Sequence, residues 1–426
     1  MLNLVGVIIA FVFTIYLIRK KFNFGISLLF GSIIVGIFSL KEIAPIDIAK
    51  AIVEATIYSY KGEKINTATI ELAILLILIY VLAKCMQETN AIKKLIDSLR
   101  TFFNSGGTLG IIPAIYGLMP VPGGALFSAP LIDKEGDKYK LNKDQKNFLN
   151  VWFRHIWFPI FPISLAMITI CSNEFSNIDI YRLIIADFPA FITFIIIGIV
   201  FLKIYINKNE KSTAILKKNY NGLLYLLPPI IPILIYILLY LFGLPNLKDY
   251  QIKIFIIGVL VSIIILYFLI KISWKKYVII IKQSLSFNLA LIIFSIMIFR
   301  EMIKVSKANI ILAEMLGSLP FPAIFIIILI PLLLGLITGY NLGAIFLSYS
   351  LVEPFFQFSN INIVGLTSII FISSLVGYLI SPIHLCNIVS SSHLKTDSTR
   401  MYKMYIPAII LLLAIHTSFI VIFYSL

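Results

Sequence analysis

The sequence predicts an all-α polytopic membrane protein with about ten transmembrane helices and two re-entrant hairpins. Of its 426 residues, 60% are hydrophobic and only 13% are charged, and the mean hydropathy is +1.01. This is far more apolar than a soluble domain. Long apolar runs alternate with short lysine-rich segments, which is typical of membrane spans and their loops. Two further apolar stretches contain so many glycines and prolines that neither can form one continuous helix.

Ten apolar segments of about 20 residues are long enough to cross a bilayer. The first is followed by basic residues, which is typical of a membrane span and not of a signal peptide. Residues 45 to 60 place polar and apolar side chains at helical spacing, which predicts an amphipathic helix lying on the membrane interface. The ten predicted spans are residues 2 to 18, 22 to 40, 65 to 83, 156 to 172, 181 to 202, 223 to 242, 251 to 270, 286 to 303, 361 to 380 and 404 to 424.

The two broken stretches cover residues 117 to 130 and 335 to 348. In lipid, irregular backbone is tolerated only where protein or a water-filled cavity surrounds it. Broken segments in the two halves of a transporter are therefore the first place to expect a binding site. We predict re-entrant hairpins at about residues 106 to 131 and 321 to 348, with their tips forming the site.

The distribution of basic residues predicts the orientation. If each broken stretch is a re-entrant hairpin, 25 of the 35 Lys and Arg residues lie on one side of the membrane. The positive-inside rule makes that side cytoplasmic and places both termini outside a plasma membrane. The first hairpin then opens from the cytoplasm and the second from outside. The formal net charge of +15 is explained by these loops, so no nucleic-acid partner is expected.

The two halves of the chain resemble each other in sequence. Residues 117–119 match residues 335–337, and residues 124–127 match residues 343–346. A repeat of five spans and one hairpin must enter the membrane in opposite directions because five is odd, which predicts an inverted-topology repeat. The predicted units are a first repeat at residues 1–202, a cytoplasmic linker at 203–222 and a second repeat at 223–426.

The chemistry expected at the hairpin tips comes mostly from the backbone. Turns rich in Gly and Pro expose N–H groups to an anion and carbonyls to a cation, and the ends of half-helices add their dipoles. Close packing of small residues between helices is the alternative interpretation. The tip residues predicted to bind substrate are Pro120, Val121, Pro122, Gly123, Gly124 and Ser128 in the first hairpin, and Thr338, Gly339, Tyr340, Asn341 and Gly343 in the second.

Polar groups next to proline-interrupted segments extend the predicted site. Arg154 is suited to bidentate capture of a carboxylate or phosphate, and the imidazole of His155 titrates near neutral pH. An arginine that snorkels to the interface is the alternative interpretation of Arg154. In the second half, carbonyls freed by proline could coordinate a coupling ion. The residues expected there are Ser381, Pro382, His384 and Asn387.

Ionisable residues inside spans are candidates for ion coupling. Glu71 and Asp187 are the acidic candidates, and Arg182 is a possible neighbour of Asp187; an interfacial or structural role is the alternative. The three cysteines form no CxxC motif and no histidine cluster at ligand spacing, so no metal centre, disulfide or cofactor is predicted beyond Na⁺ or H⁺ as coupling ion. No GxSxG, HExxH or Walker motif is present, and no enzymatic activity is predicted.

Three motifs, at residues 119–125, 153–157 and 381–387, resemble a family of uncharacterised prokaryotic integral membrane proteins. That family is placed in the ion-transporter superfamily with dicarboxylate, citrate and gluconate permeases. The resemblance implies scaffold and transport subdomains, hairpins that meet near the membrane midplane, and an elevator-like movement in a homodimer. Dicarboxylate carriers have Ser-Asn-Thr at the hairpin tips, where this chain has Pro-Val-Pro-Gly-Gly and Thr-Gly-Tyr-Asn.

The function expected from the sequence is secondary active transport of a small, anionic organic metabolite, coupled to Na⁺ or H⁺. One alternative is a cation/proton antiporter that titrates at Glu71, Asp187 or His384. Another is a non-transporting membrane enzyme or assembly protein that keeps a transporter fold.

Overall fold

The computed structural model describes residues 2–60, 63–99, 101–102, 106–118, 124–206, 220–317 and 322–426. These residues form twenty α-helices and one short pair of antiparallel strands, β1 (Tyr58–Ser59) and β2 (Lys64–Ile65). The all-α fold class is confirmed. The helices are α1 (Leu2–Arg19), α2 (Phe24–Ser39), α3 (Pro45–Thr56), α4 (Ala68–Glu88), α5 (Ala91–Leu99), α6 (Gly107–Gly117), α7 (Ala125–Asp137), α8 (Lys143–Arg154), α9 (Leu165–Cys171), α10 (Ile180–Tyr205), α11 (Leu227–Leu241), α12 (Gln251–Leu269), α13 (Trp274–Ser284), α14 (Phe287–Val305), α15 (Ala308–Gly317), α16 (Ala323–Thr338), α17 (Asn341–Val352), α18 (Ile363–Leu379), α19 (Leu385–Leu394) and α20 (Tyr402–Phe423).

Seven helical segments in the described ranges are long and apolar enough to cross a membrane. Their outward faces carry large apolar side chains such as Leu241 and Phe268, which are 73% and 77% exposed. Such surfaces are unfavourable in water and favourable in lipid. The chain therefore has the character of a multi-pass membrane protein. The seven segments are Leu2–Arg19, Ala68–Glu88, Ile180–Tyr205, Asn221–Leu241, Leu247–Leu269, Trp274–Val305 and Thr399–Phe423.

Two predicted segments differ in detail from the structure. Residues 156 to 172, predicted as a span, are not one helix, because turns occupy residues 155–164 before the short helix α9 begins. Pro159 and Pro162 lie in those turns, where each lacks a backbone donor for a helix. The amphipathic helix predicted at residues 45 to 60 ends at Thr56, and the chain then enters strand β1.

Both glycine- and proline-rich stretches are pairs of short helices that pack against each other. Helices α6 and α7 form the first pair, and α16 and α17 form the second. In the second pair the turn is made by Gly339, whose φ of +59° lies in the left-handed region that favours glycine. The segment between α6 and α7 that contains the predicted site residues Pro120, Val121, Pro122 and Gly123 lies outside the described residues.

The helix contacts of the first ten helices recur in the last ten. Helix α2 packs on α14 as α12 packs on α4, and α3 packs on α14 as α13 packs on α4. Likewise α6 packs on α8 as α16 packs on α18, and α7 packs on α19 as α17 packs on α9. Each contact maps onto its counterpart when ten is added to or subtracted from the helix numbers. The sequence echo between the halves therefore has a structural counterpart in helix order and packing.

Each half also contains an interrupted helix after its paired helices. In the first half α8 ends at Arg154 and α9 begins at Leu165; in the second α18 ends at Leu379 and α19 begins at Leu385. The two breaks face the ends of the paired helices. Buried amides help to join the halves here, since Asn150 Nδ2 on α8 donates a hydrogen bond of 2.8 Å to Ser390 Oγ on α19.

Candidate functional site

A cavity of about 210 Å³ lies where the paired helices meet the two breaks. Both halves of the chain contribute to its wall. Its polar groups come from the ends of α8 and α18 and the starts of α17 and α19, and the rest of the wall is largely aromatic or aliphatic. The lining residues are Tyr80, Gly117, Leu118, Arg154, His155, Trp157, Phe158, Phe161, Ser164, Leu165, Ala166, Leu289, Gly339, Tyr340, Asn341, Leu342, Tyr378, Leu385 and Cys386.

Arg154 is the last residue of α8, and it is buried with 4% exposure. It lies against the first helix pair at two glycines. A Cβ atom at Gly124 would lie 2.1 Å from Arg154 Nη2, and a Cβ atom at Gly117 would lie 2.0 Å from the Arg154 carbonyl oxygen. Only glycine permits this close approach. Arg154 is thus buried inside the protein against the first helix pair.

Three metal-ligand side chains lie at the cavity wall or directly behind it; His155 and Cys386 line the cavity, and His384 does not. The ligand atoms of His155, His384 and Cys386 all lie within 4.8 Å of one another, and all three residues are buried. The Cys386 thiol is hydrogen bonded to both His155 and Arg154. Two imidazoles and a thiol match the ligands preferred by Zn²⁺. The cluster joins the two interrupted helices, because His155 follows α8 and Cys386 begins α19.

The tautomer of His155 follows from its neighbours. Nδ1 lies 2.7 Å from the Val151 carbonyl oxygen. A carbonyl can only accept a hydrogen bond, so Nδ1 carries the proton and Nε2 is left as an acceptor. Both ring nitrogens of His384 are buried without a hydrogen bond of normal geometry among the described residues, and the ring interacts with the Leu379 backbone. An unsatisfied buried polar group is costly and indicates a position for water, an ion or a ligand.

The start of α17 brings a second unsatisfied group to the cavity. Both side-chain polar atoms of Asn341 are buried without a hydrogen-bond partner in the described part of the chain. The preceding turn is held by close packing, since a Cβ atom at Gly339 would lie 2.6 Å from Ile383 Cγ1 and 2.9 Å from Ser381 Oγ. The turn thus packs on the second break, and Asn341 is held at the cavity wall with one donor group and one acceptor oxygen available.

Other predicted site residues do not line this cavity. Ser128 Oγ and Thr338 Oγ1 hydrogen bond to carbonyls of their own helices, at 3.4 and 2.7 Å. A Cβ atom at Gly343 would lie 2.2 Å from Phe24 Cζ, which supports the packing interpretation for that glycine. Asn387 Oδ1 accepts a hydrogen bond of 3.5 Å from Asn147 Nδ2. Ser381 and His384 are buried directly behind the wall, and Pro382 is exposed.

The two acidic candidates lie elsewhere. Glu71 forms an ion pair of 3.6 Å with Lys253 and lines a different pocket, of about 430 Å³, with polar loop residues. This arrangement fits the interfacial interpretation of Glu71. Asp187 is wholly buried and bonds to Ser368, whereas Arg182, its suggested neighbour, is exposed.

Sequence reasoning missed Cys386, Tyr378 and the aromatic wall formed by Trp157, Phe158 and Phe161. It also missed the histidine and cysteine cluster, because its members lie in different halves of the chain. One local signal was available, since Cys386 follows His384 by two residues at a proline break.

The profile of a protein family matches nearly the whole chain, at residues 4–423; its description is "Protein of unknown function (DUF401)". No curated protein matches the chain.

Proposed function

The chain belongs to the DUF401 family, whose description assigns no function, and we propose from the geometry that it is a secondary active transporter of a small organic anion. The observation that carries this proposal is the buried Arg154 at a cavity shared by both halves of the chain. The lining of that cavity, as far as the structure describes it, contains Arg154 and no Asp or Glu.

A guanidinium at the wall of a buried cavity favours an anionic ligand because opposite charges attract more strongly in a low-dielectric interior than in water. Arginine binds carboxylate or phosphate through two parallel charge-assisted hydrogen bonds. Asn341 adds neutral donor and acceptor groups at the same wall. Arg154 and Asn341 together suit an anion that also carries a hydroxyl, carbonyl or second acidic group.

The size and walls of the cavity limit the ligand. Pockets for drug-sized ligands measure roughly 300–1,000 Å³, so a cavity of about 210 Å³ suits a smaller molecule. Aromatic side chains form much of the wall, which favours an organic anion with an apolar portion over a bare inorganic ion. A small carboxylate fits both requirements.

A transition-metal ion is the main competing ligand, because His155, His384 and Cys386 offer three ligand atoms. The same thiol is hydrogen bonded to the Arg154 guanidinium, so a bound divalent ion would lie close to a positive charge. At about 4 Å and an effective dielectric constant of about 20, their repulsion is roughly 8 kcal/mol, and a thiolate would offset only about half of it. The positive charge of Arg154 therefore weakens binding of a divalent ion at the cluster and strengthens binding of an anion.

The architecture supports transport. Paired short helices and interrupted helices that recur in two halves are typical of transporters in which discontinuous helices form a central site. We propose that the halves are inverted repeats with ten crossings and two re-entrant hairpins, in a plasma membrane with both termini outside. The proposal also includes elevator-like movement in a homodimer, which the family resemblance implies, and coupling to Na⁺ or H⁺.

The test uses purified protein in proteoliposomes and radiolabelled acetate, lactate, succinate, citrate and phosphate, with and without imposed pH and Na⁺ gradients. We expect gradient-dependent uptake of at least one carboxylate. Arg154→Gln should reduce it to the level of protein-free liposomes, whereas the matched control Arg182→Gln, at an exposed position, should transport like wild type.

Absence of gradient-dependent flux for every anion would reject the proposal, and so would wild-type flux in Arg154→Gln. Tight stoichiometric Zn²⁺ in the purified protein, lost on His384→Ala, would instead identify the cluster as a metal site. Proton movement on adding Na⁺ without any organic anion would favour the antiporter.

A further inference from the structure

A second buried polar cluster lies away from the cavity, between α10, α18 and α20. Ser368 Oγ donates a hydrogen bond of 2.5 Å to Asp187 Oδ1, and the same hydroxyl lies 3.0 Å from His416 Nε2. All three residues are buried, with exposures of 0% for Asp187 and Ser368 and 1% for His416. None of them lines the 210 Å³ cavity. The three groups form one hydrogen-bonded row across three helices.

The cluster contains an acid without a countercharge. Asp187 Oδ2 and His416 Nδ1 are buried without hydrogen-bond partners, and Asp187 forms no ion pair with Lys or Arg, within the described residues. The other titratable groups that act on Asp187 are Cys171 at the end of α9 and Tyr424 after α20. Neither supplies a fixed positive charge. An isolated carboxylate in a membrane protein interior is strongly unfavourable, so Asp187 must hold a proton or a cation.

The ligand atoms of the cluster indicate whether Asp187 holds a proton or a cation. Sodium, like other hard cations, is held by several oxygen ligands, whereas imidazole nitrogen suits transition metals. The cluster offers oxygens from Asp187 and Ser368 and a nitrogen from His416, which is a poor set for Na⁺. A carboxyl, a hydroxyl and an imidazole in a row are instead suited to receiving and passing a proton.

The hydrogen bonds also give the direction of transfer. The single Ser368 proton is donated to Asp187, so the Ser368 oxygen accepts from His416 Nε2–H. A proton that arrives at His416 Nδ1 can release the Nε2 proton to Ser368, whose own proton passes to Asp187 Oδ1. One proton enters and one carboxylate becomes a carboxylic acid, so charge and atoms balance.

We propose that Asp187, Ser368 and His416 form the proton-binding site that couples transport to the pH gradient. This inference rests on the proposed transport function and identifies the coupling ion as H⁺. Helix α18 provides the connection, because it carries Ser368 in the cluster and Tyr378 in the cavity wall. It also packs against α16 and α17 of the second helix pair. Protonation of Asp187 removes a buried charge from the α10–α18 interface and so changes the free energy of moving the two helices apart.

The direct test is infrared difference spectroscopy of the purified protein in nanodiscs as the pH is raised, with no organic ligand. We expect a carbonyl band from a protonated carboxyl that shifts in D₂O, is missing in Asp187→Asn, and remains in the exposed control Asp249→Asn. Ser368→Ala should move the band to higher frequency, because the hydrogen bond between Ser368 and the Asp187 carboxyl group is lost.

Two spectral results would overturn the proton site. One is an identical spectrum for wild type and Asp187→Asn. The other is loss of the band on replacing choline chloride with NaCl at constant pH, which would assign the site to Na⁺.

Transport distinguishes this inference from the function on which it rests. With the carboxylates and phosphate named above, Asp187→Asn should abolish accumulation driven by a pH gradient but keep exchange of internal for external anion. Retention of pH-driven accumulation would reject the proton site alone. A normal band together with no flux of any anion would support the proton site and reject the transporter.

Discussion

At the scale of single residues, one contact determines the character of the cavity. The guanidinium of Arg154 lies directly on Gly124, where even a methyl group would lie 2.1 Å from Nη2. The glycine therefore acts by lacking a side chain, and it fixes the guanidinium beside the thiol of Cys386. Gly124 and Arg154 were each predicted as site residues from sequence, but the direct contact between them follows only from the fold.

We expect Gly124→Ala to abolish anion transport while leaving the protein folded, because the new Cβ displaces a side-chain end and not the backbone. The measurements are carboxylate uptake in proteoliposomes and the thermal unfolding midpoint. The matched control is Gly36→Ala, where the nearest atom is the flexible end of Met302 at 3.3 Å; it should retain both properties. Wild-type uptake in Gly124→Ala would show that Gly124 serves only in helix packing.

At the scale of helices, glycines let each helix pair pack directly on the interrupted helix of its own half. A Cβ atom at Gly377 would lie 2.0 Å from the Leu332 carbonyl oxygen, and one at Gly335 would lie 2.4 Å from the Ser374 carbonyl oxygen. These are contacts with backbone, which cannot rotate away as a side chain can. Helices α16 and α18 are therefore expected to move as one rigid unit.

Gly377→Val should accordingly lower stability and not ligand selectivity. Forcing extra atoms into a packed interface costs about 1–3 kcal/mol, which should lower the thermal unfolding midpoint and the yield of monodisperse protein. Gly36→Ala again provides the control. If Gly377→Val kept wild-type stability but lost transport, the contact between α16 and α18 would have to open during the transport cycle. That result would contradict the expectation that these two helices move as one rigid unit.

At the scale of the whole molecule, several helix contacts repeat between the halves, whereas the sequence predicts that the basic residues are distributed asymmetrically across the membrane. The contacts fix how the halves meet but carry no information on which face is cytoplasmic. Orientation depends on the basic segments between the predicted spans, such as residues 133–155, most of which are helical in the structure. It is therefore a prediction from the sequence that needs a measurement in cells.

Cysteine labelling tests this orientation with a matched pair of exposed lysines, Lys140 and Lys248. In a background without native cysteines, Lys248→Cys should react with a membrane-impermeant maleimide added to intact cells. Lys140→Cys should react only after permeabilisation. The opposite pattern would reverse the orientation, and equal labelling of both from outside would contradict the predicted number of crossings between them.

The sequence alone determined the fold class, the two broken helix pairs and several residues of the candidate site, including Arg154, His155, Gly339 and Asn341. These features are local, since hydrophobic length, glycine and proline act on the backbone within a few residues. Tertiary structure decided which groups meet. Cys386 joins His155 across the two breaks, and His416 and Ser368 join Asp187. Such pairings arise from helix packing over most of the chain, and no local spacing in the sequence encodes them.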